Sequence, residues 1–113
     1  MSLPMLGNRT AVLIRHKQPY LDWAKSLDEE DGVDPLPAGH TTIYLIPDHD
    51  DGESMEAELK SCYASIFEEE LESWSTDPKQ WPKDRSFKVF QAWFDYEAIE
   101  MVHDVGQEEI ELA

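Results

Sequence analysis

The chain has 113 residues and carries 25 acidic against 9 basic side chains, a formal net charge of −16. A surface this negative repels nucleic acid and anionic membranes, and it attracts cations and basic protein surfaces within about 10 Å at ordinary salt. Aromatic residues make up 11% of the chain, which excludes the disordered class, since disordered chains combine high charge with few aromatic residues. We therefore expect one folded domain over residues 1–113.

Both ends of the chain are expected to lie outside the compact part of this domain. Residues 1–7 are expected to be flexible or partly an expression scar, and residues 107–113 form an acidic tail. Apolar runs such as residues 43–46 are far shorter than the ~20 residues of a membrane-spanning helix. No signal-peptide pattern begins the chain, so we expect a cytoplasmic protein with no membrane partner.

The first predicted elements are a strand and a short helix. Residues 11–15 form an apolar run that ends in the basic trio of residues 15–17, which is typical of a buried strand. Pro19 suits the first turn of a helix, where its missing N–H is not needed. Apolar residues then recur at three- and four-residue spacing, which predicts a helix of about two to three turns carrying Tyr20, Trp23, Ala24 and Leu27.

A loop and a second strand follow. Residues 28–40 contain two Gly and two Pro and are predicted as a loop. Residues 41–46 are rich in β-branched and aromatic side chains, which predicts a strand that Pro47 closes. The two strands would be parallel if the helix between them made a right-handed crossover.

The clearest predicted helix spans residues 55–74, and Asp51 or Ser54 can cap its N-terminus. At ~1.5 Å per residue this helix is about 30 Å long, so we expect it to organise the core. Its apolar stripe holds Leu59, Cys62, Tyr63, Ile66, Phe67, Leu71 and Trp74. The rest of its surface holds Glu56, Lys60, Glu68, Glu69 and Glu72.

The last third of the chain is predicted as loop, helix and strand. Residues 75–84 read as a loop, and Asp84 or Ser86 can cap a shorter helix that carries Phe87, Phe90, Trp93 and Phe94. Residues 96–105 fit a helix or a strand. Alternation favours the strand, because it places on one face Ile99, Met101, His103 and Val105.

This order of elements, β-α-β-α-α-β, predicts an α+β fold. We expect a two-layer domain in which two to three helices pack on a three-stranded sheet. Such a sheet has two edges, so a homodimer formed through an edge or through the Trp-rich surface is one expected partner.

The segment that joins the second strand to the long helix has the composition of a metal site. Its candidate ligands are Asp48, His49, Asp50 and Asp51, with His40 as a further ligand. Hard oxygen ligands favour magnesium, calcium or manganese, and His49 admits zinc. The alternative is a solvated turn whose acids cap the helix, and the acid spacing does not fit an EF-hand.

Two basic patches oppose the general charge. Four of the nine bases lie within residues 79–88, and a smaller patch occupies residues 15–17. If the fold joins the patches, they form an anion site from Arg15, Lys17, Lys79, Lys83 and Arg85. The alternative is intramolecular pairing of these bases with nearby acids.

The sequence assigns no catalytic residue and no cofactor. Cys62 lies mid-helix, where a buried thiol acts as a small apolar side chain rather than a nucleophile. His103 is interpreted as a hydrogen-bonded core or edge residue. Neither a nucleophile elbow nor a glycine-rich phosphate loop is present.

Several short segments carry a resemblance to a known family. They are residues 8–11, 17–23, 42–47, 66–69 and 81–82, within the span 8–105. On these segments the chain resembles a family of small acidic uncharacterised bacterial proteins with no assigned function. The resemblance implies a bacterial cytosolic origin and transfers no catalytic residue.

Charge and composition leave two functional hypotheses of different kinds. The first is a non-enzymatic interaction domain, inhibitor- or immunity-like, whose acidic surface docks a basic partner protein. The alternative is a divalent-metal-binding protein or small metal-dependent enzyme that uses the loop of residues 48–51. Direct binding of nucleic acid is not expected, since the field has the wrong sign for phosphates.

Overall fold

A computed structural model describes residues 7–27, 41–48, 55–99 and 101–111 of the chain. The predicted loop over residues 28–40, the caps at Asp51 and Ser54, and most of the N-terminal segment 1–7 lie outside these described residues. In chain order the elements are β1 (Arg9–His16), α1 (Gln18–Leu27), β2 (Thr41–Pro47), α2 (Met55–Glu72), a 3-10 turn (Pro78–Gln80), α3 (Phe87–Trp93) and β3 (Phe94–Ile99). The predicted α+β fold and its element order are confirmed.

The sheet has the order β2-β1-β3, and β1 pairs antiparallel with both neighbours. The expectation of a parallel pair between the first two strands was therefore wrong. Arg15, near the end of β1, lies opposite Thr41 at the start of β2. The connection thus returns to the same end of β1, and no crossover forms.

The last strand differs from its predicted limits. It begins at Phe94, because α3 passes into β3 without a loop and the Phe94 N–H still donates to the Phe90 carbonyl. It ends at Ile99, which pairs with Ala11 near the start of β1. A strand that continued to Val105 would run past the end of β1.

The helices pack on one face of the sheet around an aromatic core. Phe90 of α3 is fully buried, and its ring lies within about 6 Å of the rings of Phe67 and Phe94. The Ser86 side chain caps α3 by accepting from the Val89 N–H, as predicted. The buried apolar side chains from all three helices and the sheet include Val12, Ile14, Tyr20, Ala24, Ile46, Leu59, Ile66, Phe67, Leu71, Phe90 and Phe94.

The opposite side of the sheet, here called the helix-free face, is much less covered. Ile43 and Leu45 of β2 project from it and are 56% and 53% exposed. Their neighbours Tyr44 and Ile46 point to the helix side, because successive residues of a strand face opposite ways.

Candidate functional site

A buried polar cluster joins β1, β2 and α2. His16 Nε2 lies 2.7 Å from Glu70 Oε1, and each of these side chains is 5% exposed. The Tyr44 hydroxyl donates to the other oxygen of Glu70. One carboxylate therefore links the end of the central strand, the edge strand and the long helix.

Local sequence places each member of this cluster. Glu70 follows Phe67 by three residues and Ile66 by four, so helical periodicity carries it onto the buried stripe of α2. His16 shares its strand face with Ile14, and Tyr44 shares its face with Ile46. The three polar groups consequently meet between the sheet and the helix.

Tyr20 of α1 completes the cluster. Its hydroxyl donates to the Glu70 carbonyl oxygen at 2.6 Å, and its ring stacks on His16 with centroids 3.8 Å apart. Burial raises the pKa of Tyr20 to about 12. Burial and the hydrogen bond to Glu70 also raise the pKa of Tyr44. Both hydroxyls therefore stay protonated and act as donors at neutral pH.

Glu70 is the ionised member of the cluster. Burial alone would raise its pKa, but the hydrogen bonds from His16 and Tyr44 outweigh burial, and the pKa of Glu70 is lowered. Its two carboxylate oxygens accept hydrogen bonds from within the protein. The cluster thus cross-links elements of the fold and leaves no carboxylate oxygen directed at an outside ligand.

The lowered pKa of Glu70 predicts a pH dependence of stability. A carboxyl group whose pKa is lower in the folded state stabilises the fold above its unfolded pKa, ordinarily 4.5, and that contribution is lost as pH falls. The wild-type protein is therefore expected to lose more stability below about pH 4.5 than Glu70→Gln. Urea unfolding across this acidic range measures the difference.

Glu69→Gln is the matched control for this prediction, because Glu69 is the neighbouring acid and is exposed. Its stability should follow the wild-type curve as pH falls. If the free energy of unfolding fell equally with pH in the wild-type protein and in Glu70→Gln, Glu70 would not couple proton binding to folding.

An open, mostly apolar pocket of about 360 Å³ lies beside this cluster, between β2 and α2. Its lining comes from Tyr44, Leu45, Ile46, Pro47, Cys62, Ser65, Ile66 and Glu69. Ligand pockets start at about 300 Å³, so the pocket holds one large side chain or a small molecule. Among the described residues the lining comes from β2 and α2 alone, and β2 is an outer strand of the sheet, so within these residues the pocket opens along the sheet edge.

Cys62 contributes a protonated thiol to this pocket. Burial, followed by the charge of Glu58, raises the pKa of the thiol. The sulfur also donates to the Glu58 carbonyl oxygen at 3.3 Å. The pocket therefore offers apolar surface and the Glu69 carboxylate rather than a reactive thiolate.

The predicted metal ligands fall mainly outside the described residues. Asp48 is described and exposed, and its Oδ1 accepts from the Thr10 hydroxyl at 3.1 Å. His40, His49, Asp50 and Asp51 are not described, so the metal site stays a prediction. Elsewhere in the described ranges, no three His, Cys, Asp or Glu side chains gather closely enough to hold a metal ion.

The bases of the predicted anion site make separate local contacts. Arg15 reaches Glu97 at 3.3 Å and Asp95 at 3.9 Å. Lys17 donates to the Gln91 carbonyl oxygen at 3.0 Å. Arg85 donates to the Pro82 carbonyl oxygen and lies over the Trp81 ring, whereas Lys79 and Lys83 are exposed. Convergence of these bases on one anion stays a prediction.

Sequence reasoning missed the role of Glu70 and His16. Glu70 sits in the acidic run of residues 68–72, and His16 sits between two bases, so both looked like surface charge. The available signal was periodicity, since an acid three residues after Phe67 belongs to the apolar stripe. A buried acid needs a partner, and that requirement would have directed attention to a nearby His or Tyr.

The fold and this cluster define an α+β protein in which helices cover one face of a three-stranded antiparallel sheet. No protein-family model, curated protein or solved structure matches the chain. Over the described ranges, none of the helices has the length and apolar character needed to cross a bilayer.

Proposed function

We propose that this chain is a cytosolic protein-interaction domain, inhibitor- or immunity-like, that docks a basic partner. The observation that carries the proposal is the solvent side of α2. We call its acids Glu68, Glu69 and Glu72 the acidic face. All three are exposed, and they lie at one-, three- and four-residue spacing on one side of the helix.

The acidic face has two properties that suit association with a basic surface. The only base of α2, Lys60, lies eight residues before Glu68, more than two helical turns from the acidic face, so it does not neutralise these three charges directly. The face also adjoins the apolar pocket, because Glu69 belongs to both. Acids on the rim speed encounter with a cationic partner, and an apolar pocket accepts an anchoring side chain.

The first test is recovery of basic proteins on the immobilised chain. At about 0.1 M salt the wild-type chain is expected to retain basic proteins from a bacterial lysate, and at about 1 M salt, where screening shortens to about 3 Å, to release them. Each recovered protein is then purified and its affinity measured. The combined Glu68→Gln, Glu69→Gln and Glu72→Gln variant should bind about tenfold more weakly, since exposed ion pairs contribute about 0.2–1 kcal/mol each.

The matched control removes the same charge elsewhere. Glu108→Gln, Glu109→Gln and Glu111→Gln neutralise three exposed acids of the C-terminal segment. This variant should bind like the wild-type chain. Equal weakening by both variants would assign binding to net charge alone, and recovery of no basic protein at low salt would remove the proposal.

A further inference from the structure

We infer that the partner contributes an extended segment that adds as a strand to the outer edge of β2 and places one apolar side chain in the pocket between β2 and α2. The segment carries Lys or Arg on either side of its apolar residues. This inference rests on the proposed function, which it narrows to one binding mode and one peptide chemistry.

The backbone direction of β2 supports this mode. The Asp48 N–H donates to the Asn8 carbonyl oxygen, and β2 continues from there in antiparallel register with β1. Along such a pair the N–H groups of successive residues point alternately toward the partner strand and away from it. The N–H groups of Thr42, Tyr44 and Ile46 therefore point toward β1. The N–H groups of Thr41, Ile43 and Leu45 point outward, away from the sheet. Among the described strands β2 pairs only with β1, so within the described ranges these outward groups form an open edge.

The side chains of β2 leave this edge unprotected. Natural edge strands are commonly blocked by charged residues, especially Lys, or by Pro. Residues 41–47 contain no charge, in a chain whose net charge is −16. Pro47 lacks an N–H and stops pairing only at the far end of the strand. An added strand can therefore pair along residues 41–45.

Successive side chains of an added strand would point to opposite faces of the sheet, and each face offers apolar contacts beside β2. Its side chains on the helix side would meet the pocket, where Cys62, Ser65 and Ile66 of α2 face the strand. Its side chains on the other side would lie beside Ile43 and Leu45 and cover the exposed part of the helix-free face. Apolar residues are therefore favoured at neighbouring positions of the segment.

Charge selects a basic segment over a second copy of this chain. Glu69 lines the pocket and Asp48 follows the end of β2, so acids flank the groove. Pairing of two β2 edges about a twofold axis would bring two acidic faces together, and like charges oppose that arrangement. Lys or Arg beside the anchoring residue would instead meet these carboxylates.

The probe is the capped synthetic peptide Lys-Lys-Val-Leu-Val-Lys-Lys, in which the Leu and the inner Lys residues share one face. Amide hydrogen exchange of the full chain is followed by NMR with and without the peptide. At saturation the amides of Ile43 and Leu45 should exchange at least about tenfold more slowly, because they gain hydrogen bonds. The amides of Thr42, Tyr44 and Ile46 should be slow in both states.

Two N-methylated peptides test strand pairing directly. One is methylated at the Leu amide and the other at both Val amides. Only alternate amides of an added strand face β2. One of the two peptides should therefore bind about tenfold more weakly, and the other should bind like the parent. Equal affinities for all three peptides would overturn strand addition.

A pair of protein variants tests the pocket. Ser65→Phe fills the pocket from an exposed position of α2, and Ser61→Phe places the same ring at an exposed position outside it. Ser65→Phe should weaken peptide binding at least about tenfold, while Ser61→Phe should leave it unchanged. Circular dichroism confirms that both variants fold, and equal affinities would overturn the pocket assignment.

The outcomes separate this inference from the proposed function. Salt-sensitive binding of the peptide without protection of Ile43 and Leu45 would overturn strand addition and leave the acidic face as the docking surface. A peptide with Gln in place of Lys that binds and protects equally would support strand addition and overturn the basic partner. Slow exchange of the Ile43 and Leu45 amides in the absence of peptide would also overturn the inference, whether sedimentation shows the chain to be a monomer or a dimer.

Discussion

Replacing Glu70 with Ala is expected to lower the free energy of unfolding by about 2–6 kcal/mol, since each of the two interior polar groups left without its partner costs about 1–3 kcal/mol. The Glu70 carboxylate accepts from Tyr44 and contacts His16 at 2.7 Å. Its loss leaves the Tyr44 hydroxyl and the His16 ring in an interior site without their hydrogen-bond acceptor. Small domains are stable by about 5–15 kcal/mol, so the variant should approach the limit of folding at ordinary temperature.

Glu69→Ala is the control for this result. The two acids are adjacent in α2, but Glu69 is exposed whereas Glu70 is 4% exposed. Surface substitutions usually change stability by less than about 0.5 kcal/mol. Urea unfolding followed by circular dichroism compares the variants. Similar losses for Glu69→Ala and Glu70→Ala would indicate that the buried cluster does not stabilise the fold.

Replacing Phe90 with Ala is expected to destabilise the protein by about 3–5 kcal/mol, the usual range for a buried Phe. The Phe90 side chain is fully buried and its ring lies 5.0 Å from Phe94, 5.6 Å from Tyr63 and 5.9 Å from Phe67. These neighbours belong to α2 and to the α3–β3 junction. The cavity left by Ala would therefore weaken the packing of two helices and of the last strand together.

Phe87→Ala supplies the comparison for Phe90. Phe87 belongs to the same helix and stacks on Phe90, but it is only partly buried. Its removal should cost clearly less, because water can reach part of the vacated space. Thermal and urea unfolding measure both variants, and a loss for Phe87→Ala as large as that for Phe90→Ala would contradict the described packing.

Periodic sequence patterns predicted the elements well. The stripe through Leu59, Ile66 and Phe67 identified α2, and the polar residue Ser86 marked the start of α3. Both signals depend on neighbours a few residues apart, which local sequence contains. The same holds for the β-branched residues of β2 and for the α+β class that follows from element order.

Features that depend on distant residues were not available from local patterns. The strand direction of β2 depends on where the connection from β1 returns. The partner of Glu70 lies 54 residues away in His16, and no local spacing indicates that distance. The start of β3 was misplaced because Phe94 suits both a helix stripe and a strand. The pocket exists only because α2 packs across an edge strand.

The central position of β1 sets the order in which the sheet can be completed during synthesis. β1 lies near the start of the chain, but one of its two partners, β3, lies near the end, with Ala11 opposite Ile99. Synthesis must therefore pass Ile99 before β1 acquires its second neighbour. Until then an apolar strand has one side unpaired, and its pairing with β3 brings together residues that lie 88 positions apart, Ala11 and Ile99.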